Sequence, residues 1–426
     1  MTPIFPLQAF LQPLSQNPWT YVVFGLIGFA FGFVLEISGF GNSKILAAQF
    51  YFKNLTVLKV MFTAIVTAMV LLFLSSALGI LDFNLVYVPE THLWPGIVGG
   101  LIMGVGFIVG GFCPGTSLVS ASTLKIDGIV FVLGAIVGVW AFGETVQPMW
   151  TWWNESGYFG RLTLMDVFHL PTGVVVLLVV LMALFMFWGG EKLEAIFGKK
   201  DLSKEPKVRI YGAAALIVVA LVVLIVGQPT VADKYANMTI SRTVDGEKIA
   251  YTPAQLLEDR AIQIHPGELL ASLGDQKLNI MMIDVRSEAD YNLFHLRGAQ
   301  HIPVSDLGTI VPILLTEPAA NTVFVLMSND EVAATEGWQT LVANSVPNVY
   351  ILEGGINNWI SVFGKNEADI TPTPAPVADD SLRFTFPAAL GDRYEASDPL
   401  PEEWELEYTP KIQLQQRRGV SGGGCG

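Results

Sequence analysis

The chain is poor in charge and in cysteine, and its first 43 residues contain no lysine or arginine at all. Charged residues fill 15% of its 426 positions against 52% for hydrophobic ones, and the mean hydropathy is +0.50. That balance excludes an ordinary soluble globular protein and points to a membrane protein. Two cysteines, Cys113 and Cys425, exclude a disulfide framework, and the five histidines do not cluster with them at ligand spacing, so no metal site is expected. The missing basic residues before Lys44 also argue against a cleavable signal peptide. No motif calls for a cofactor. The net charge of -14 falls entirely on the second half: residues 1–227 hold 11 Lys/Arg and 11 Asp/Glu, whereas 228–426 hold 13 and 27. So acidic a region repels nucleic acid and anionic lipid, and neither is expected as its partner.

What the first half does contain is long apolar runs. Six of them, near 19–37, 57–80, 95–112, 126–144, 171–189 and 210–227, approach the roughly 20 residues needed to cross a lipid bilayer. Two further stretches, from Gly41 to about Tyr51 and from Cys113 to about Leu124, are too short and interrupted to cross, and are expected as re-entrant half-helices. The segment Gly110-Gly111-Phe112-Cys113-Pro114-Gly115-Thr116-Ser117 is echoed 72 residues earlier by Ser38-Gly39-Phe40-Gly41-Asn42-Ser43. Aligning Gly32 with Gly104, Gly39 with Gly111 and Gly41 with Cys113 yields a duplicated unit of span, broken helix and span. Interrupted membrane helices in matching positions mark a substrate path. Lys44, Lys53 and Lys59, and the run Lys192, Lys199, Lys200, Lys204, Lys207 and Arg209, place their loops in the cytoplasm. Segment 81–94 and the residues before Trp19 have no basic residue and face outward. Six spans then leave both the amino terminus and everything after about Gln228 outside, with Trp19, Trp94, Trp150, Trp152, Trp153 and Trp188 as interface anchors.

Beyond 227 the texture changes. A connector, 228–251, leads into a compact α/β domain over 252–368, with strands expected at Asn279–Asp284, Thr322–Met327 and 348–352 and helices at 253–259, Pro266–Leu273 and 331–344. Pro372, Pro374 and Pro376 then open an acidic linker and tail, 369–426, ending in Ser421-Gly422-Gly423-Gly424-Cys425-Gly426.

Cys113 precedes Pro114, a favoured first-turn residue, so it is expected to cap a short helix whose unpaired amides and dipole attract anions. Thr116, Ser117 and Ser120 would add hydroxyl donors, and Gly41, Asn42 and Ser43 would present a second helix start opposite. Such a site suits a small sulfur-bearing oxyanion, with amides at its oxygens and a polarizable thiol at its terminal sulfur. Two readings remain open at this point, a pore thiol and a small apolar filler between closely packed helices. Glu36 divides likewise between an intramembrane carboxylate and an interfacial one near Lys44.

The Gly111-Phe112-Cys113-Pro114-Gly115 run and the polar half-helix after it resemble the YeeE/YedE family of sulfur-transport membrane proteins, over about residues 20–145. The resemblance implies passage of thiosulfate or a related small sulfur anion past Cys113. Family members carry about twice as many repeat units and more than one pore cysteine, whereas this chain has two units and Gly41 in its other turn. That departure implies a homo-oligomer or an additional membrane subunit. Ile283-Asp284-Val285-Arg286, His295-Leu296-Arg297-Gly298-Ala299, Ile302-Pro303, Glu353-Gly354-Gly355-Ile356 and Trp359 resemble the rhodanese-like family. Its active members hold sulfur on a cysteine in a C-R-x-G-x-R loop. This chain has Ser328-Asn329-Asp330-Glu331-Val332-Ala333 there, which implies no sulfur transfer and no catalytic residue, with Asp330 and Glu331 repelling an anion. His295 and His301 are read as scaffold residues. The terminal Gly-Gly-Cys-Gly resembles the arm of SoxY-type sulfur carriers, implying that Cys425 exchanges sulfur with an extracytoplasmic partner protein. The expected whole is a polytopic α-helical bacterial inner-membrane protein with an inactive docking domain outside. The competing expectation is a scaffolding subunit of a larger membrane complex, without transport.

Overall fold

The computed structural model describes residues 19–414 apart from 87, 200–207, 245–246, 317–320 and 375–377. Its backbone divides after Gln228 into two compact units.

The first unit is helical. It runs through α1 (Trp19–Ile37), α2 (Ser43–Ala47), α3 (Thr56–Ala77), α4 (Leu93–Gly110), α5 (Pro114–Ser122), α6 (Ile126–Thr145), α7 (Trp150–Glu155), α8 (Leu164–Phe168), α9 (Thr172–Phe197) and α10 (Val208–Val226). Among the described residues five stretches are long and apolar enough to cross a membrane: Thr56–Ala77, Leu93–Ser122, Ile126–Thr145, Thr172–Phe197 and Val208–Val226. Six were expected; by the same measure Tyr21–Ile37 is a shorter apolar helix. Apolar side chains stand uncovered all along α1, α4 and α6, among them Phe29, Leu101, Val109 and Val139. Helices apolar all round and left uncovered are stable where lipid replaces water. This is a multi-pass membrane protein.

A core of Val66, Val70, Phe73, Val176, Val180, Ala183, Ala220 and Val223 joins α3, α9 and α10. Gly173 lets α9 approach α10 closely, since a Cβ there would lie 2.6 Å from the Leu224 Cα. At the far end of α9 the buried Glu194 accepts the Leu55 N–H at 2.7 Å and pairs with Lys59, so it satisfies an amide at the start of α3 and an ammonium together. Glu194→Ala is expected to destabilise the unit by about 2–4 kcal/mol. That is below the usual loss on breaking a buried pair because Lys59 keeps 23% of its side chain exposed. Detergent unfolding of the full chain measures it.

The two halves of the expected duplication share backbone conformation at matching positions. α1 and α4 each end on a left-handed glycine, Gly39 at φ +78° and Gly111 at φ +72°. Each glycine is followed by a fully buried phenylalanine, Phe40 and Phe112. The half-helices also close alike: Phe52 and Leu124 adopt φ of 53° and 59°, and each is followed by a lysine, Lys53 and Lys125. All four pairs share the spacing of 72 residues. Left-handed backbone is rare for bulky residues, so its recurrence at one spacing is a strong sign of duplication. The half-helices differ in form, since the first is one α-turn, α2, running into a 3-10 turn at Ala48–Tyr51, whereas α5 is nine residues long.

The second unit opens with α11 (Val231–Asn237) and the antiparallel hairpin β1 (Ile240–Val244) and β2 (Glu247–Tyr251). It continues through α12 (Pro253–Glu258), β3 (Gln263–Ile264), α13 (Pro266–Leu273), β4 (Asn279–Asp284), α14 (Glu288–Leu293), β5 (Gln300–His301), α15 (Leu307–Thr316), β6 (Thr322–Met327), α16 (Val332–Ala343), β7 (Val349–Leu352) and α17 (Gly355–Phe363). The five strands β3 to β7 form a parallel sheet in the order β3-β7-β6-β4-β5. Every residue of β6 is buried, as a strand covered on both faces by helices requires. Trp338 and Trp359 fill the two sides, each with its indole N–H on a backbone carbonyl.

The segment after 368, expected as an extended acidic linker, is instead fixed to this unit as far as the described residues go. β8 (Thr371–Pro372) pairs with β9 (Phe384–Thr385), and Tyr394 and Ala396 join the core. The buried Glu268 carboxylate accepts the Lys411 and Ile412 N–H groups at 2.7 and 2.8 Å. Apolar residues spaced through an acidic stretch, Phe384, Phe386, Tyr394, Trp404, Leu406 and Ile412, pack on the core and hold it down. Counting charge hid them.

Candidate functional site

The first unit brings the two broken turns together. A Cβ on Gly111 would lie 3.0 Å from the Ser43 Cβ and 3.2 Å from its carbonyl oxygen, so the second turn rests on the start of α2. Cys113 is the N-cap of α5. Its sulfur accepts the Thr116 N–H at 3.5 Å, and the Thr116 hydroxyl in turn accepts the Cys113 N–H at 3.0 Å, which closes a reciprocal cap. Of the first three helical positions Pro114 has no N–H and that of Thr116 is engaged by the sulfur, which leaves the Gly115 amide for an anion. Gly115 is half-buried, and nothing lies within 4 Å of where its Cβ would be. The N-terminal end of the half-helix thus brings together an amide, a sulfur and the positive end of the helix dipole.

The hydroxyls expected along the path lie inside the half-helix packing. Thr116, Ser117 and Ser120 are buried. Thr116 faces Cys113, Ser117 donates to the Pro114 carbonyl at 2.7 Å, and Ser120 packs against Gly128. Thr116 and Ser117 thus satisfy backbone of their own turn, whereas the Ser120 hydroxyl is buried without a hydrogen-bond partner.

The first turn has Gly41 where the second has Cys113, and two charged side chains end beside it. A Cβ on Gly41 would lie 2.5 Å from the Glu36 Oε2 and 3.0 Å from the Lys125 Nζ. Lys125, at the start of α6, donates to the Gly41 carbonyl at 3.0 Å and lies 3.5 Å from Glu36. Asn42 caps α2 by accepting the Lys44 N–H at 3.0 Å, and Ser43 donates to Asp127 at 2.9 Å. Glu36 thus meets Lys125, where sequence had suggested Lys44. Lys125 and Asp127 were missed as site residues, although the matching of Lys53 with Lys125 across the repeat was available as a signal.

In the second unit the loop after β6 is closed by its own chain. Ser328 is fully buried and its hydroxyl accepts the Ala334 N–H at 3.2 Å. The Asp330 and Ala333 N–H groups, at the start of α16, hold the two oxygens of Asp380 at 2.6 and 2.8 Å. Asn329 donates to the Asp380 carbonyl and accepts from the buried Arg286. Asp330 and Glu331 were expected to repel an anion from this loop, yet an anionic carboxylate sits in it. Their charges are met elsewhere: Asp330 pairs with Arg383 at 2.7 Å and Glu331 with Arg260 at 2.7 Å. Those hydrogen bonds and ion pairs hold the Arg260 guanidinium above its ordinary pKa, the bond to Glu331 being the largest cause. Asp380 lies past the proline-rich stretch, and no local pattern marked it. His295 and His301 bond the carbonyls of Tyr291 and Arg286 and stack on the Tyr291 ring. Cys425 lies outside the described residues. Among those described, no group of three or more His, Cys, Asp or Glu residues is placed to hold a metal.

Comparison with known proteins agrees with both units. A family profile described as sulphur transport matches residues 37–259, further than the 20–145 over which the motif was legible. A second profile, the rhodanese-like domain, matches residues 265–361, a stretch that contains no cysteine. No curated protein matches the chain. Among solved structures, a full-length protein from Lactobacillus plantarum is 21% identical, with 25% of this chain and 89% of that chain covered and a TM-score of 0.22.

Proposed function

The chain belongs to the sulphur transport family, and from that premise we propose that its membrane unit passes a small reduced-sulfur anion of the thiosulfate class through the joint between its two broken turns, with Cys113 as the thiol it touches. One observation carries the reading: the N-capping sulfur of Cys113 and the Gly115 amide lie at the N-terminal end of a half-helix whose preceding turn abuts the other broken turn. An anion there replaces lost hydration with an amide donor, a weak S–H donor and the helix dipole. Pro114 contributes by starting the helix without an N–H of its own to satisfy. The path is completed by a second copy of the chain or by another membrane subunit.

The rhodanese-like domain, on this reading, lies outside the cytoplasm, docks partners and transfers no sulfur. Support comes from Ser328 at the loop position where the family keeps its cysteine, and from Asp380 filling the loop amides that a sulfur anion would use. Cys425 is the thiol that exchanges sulfur with an extracytoplasmic protein.

Proteoliposomes containing the full chain test the transport reading. They are expected to accumulate radiolabelled thiosulfate above protein-free vesicles. Equal accumulation in the two would favour the scaffolding role.

A further inference from the structure

The charges around Gly41 fall into two kinds. Asp127 is fully engaged: its carboxylate accepts the Ser43 hydroxyl at 2.9 Å and the Gly128 N–H at 3.0 Å, fixing the first turn of α6 against α2. Glu36 is not. It lies 3.5 Å from Lys125, and both side chains are about two-fifths exposed, at 43% and 40%. An ion pair that long and that open contributes little and exchanges readily for another anion. The contrast with the short Lys59–Glu194 pair, whose carboxylate is wholly buried, separates a movable charge from a structural one. Lys125 nevertheless stays at the turn, because its ammonium also bonds the Gly41 carbonyl at 3.0 Å.

We propose that Lys125 is the cationic ligand of the anion path, at the turn that has glycine where the other has Cys113, and that a passing oxyanion takes the place of Glu36 on its ammonium. The inference rests on the transport reading and adds to it the charge that selects for an oxyanion. The two turns then divide the work. Cys113 and the Gly115 amide meet the substrate at one turn, and Lys125 offers a full charge with rotatable donors at the other. The absence of a side chain at Gly41 leaves room for both members of the pair, whose ends would have to shift around a Cβ there. The duplication explains how the lysine came to be there, since Lys53 holds the same position in the first unit.

The test is thiosulfate uptake by proteoliposomes of the full chain, with KM and maximal rate determined separately. Lys125→Gln is expected to raise KM about tenfold, the loss of one charge-assisted hydrogen bond, with a melting temperature close to that of the unaltered protein. Lys125→Arg, which keeps the charge, is expected to stay within about threefold of it. Glu36→Gln should lower KM, because the competing carboxylate is gone, and Lys53→Gln should leave KM unchanged. A Lys125→Gln protein with unaltered KM and only a reduced melting temperature would show a structural lysine and overturn the inference while leaving transport through Cys113 standing. Absence of uptake by the unaltered chain would overturn both.

Discussion

Cys113→Ala is expected to cut thiosulfate uptake at least about tenfold, and Cys113→Ser is expected to fail to restore it. The pair of variants separates the two things the side chain does. As N-cap, the sulfur accepts the Thr116 N–H, and its loss alone costs about 1 kcal/mol of local stability. A serine hydroxyl caps a helix at least as well, so Cys113→Ser repairs that role and shortens the reach of the side chain only slightly. What serine cannot supply is a soft, polarizable contact for the terminal sulfur of the substrate. Uptake by the serine variant equal to that of the unaltered chain would reduce Cys113 to a helix cap. Initial rates in proteoliposomes, normalised to reconstituted protein, decide between them.

Gly355→Ala is expected to be the most disruptive single methyl in the second unit. Gly355 follows another left-handed glycine, Gly354, and has φ +60° itself, so alanine incurs about 1–2 kcal/mol of backbone strain before any contact is considered. The added Cβ would also drive into the carbonyl oxygens of Ser328 and Asp330 and lie 2.6 Å from that of Asn329. These are backbone atoms on a buried loop and cannot swing aside, so overpacking adds about 1–3 kcal/mol. A total of about 2–5 kcal/mol is a large part of a domain's stability. Hydrogen exchange on the full chain is expected to show lost protection at Ile356 and Asn357, whose N–H groups bond Ser328 and Asn329, with α3, α9 and α10 unaffected. Unaltered protection there would mean that the loop after β6 is not packed on Gly355 as described.

The sequence disclosed periodic and local features and concealed contacts between distant ones. β4 and β6 coincide with the apolar runs at Asn279–Asp284 and Thr322–Met327, because buried parallel strands consist of little else. β3 and β5 are two residues each and leave no such trace. The break after α4 was legible in Gly110-Gly111 and Pro114, which act through their own backbone angles. The charged neighbours of Gly41 were not legible, since Glu36 and Lys125 lie five residues before it and 84 after. Nor was Asp380, which reaches the Asp330 and Ala333 amides across some 50 residues. Nor were the local bonds of the Thr116 and Ser117 hydroxyls, because composition says a group is polar but not whether it is already satisfied.

The central claim is that the thiol of Cys113 faces a water-accessible anion route and is not sealed between helices. Modification of the full chain carrying Cys425→Ala, in sealed vesicles, by a small charged thiosulfonate reagent tests it most directly, because Cys113 is then the sole thiol. The account predicts labelling of Cys113 under native conditions, slowed by added thiosulfate and unaffected by an equal ionic strength of chloride. A thiol that reacts only after denaturation would contradict it.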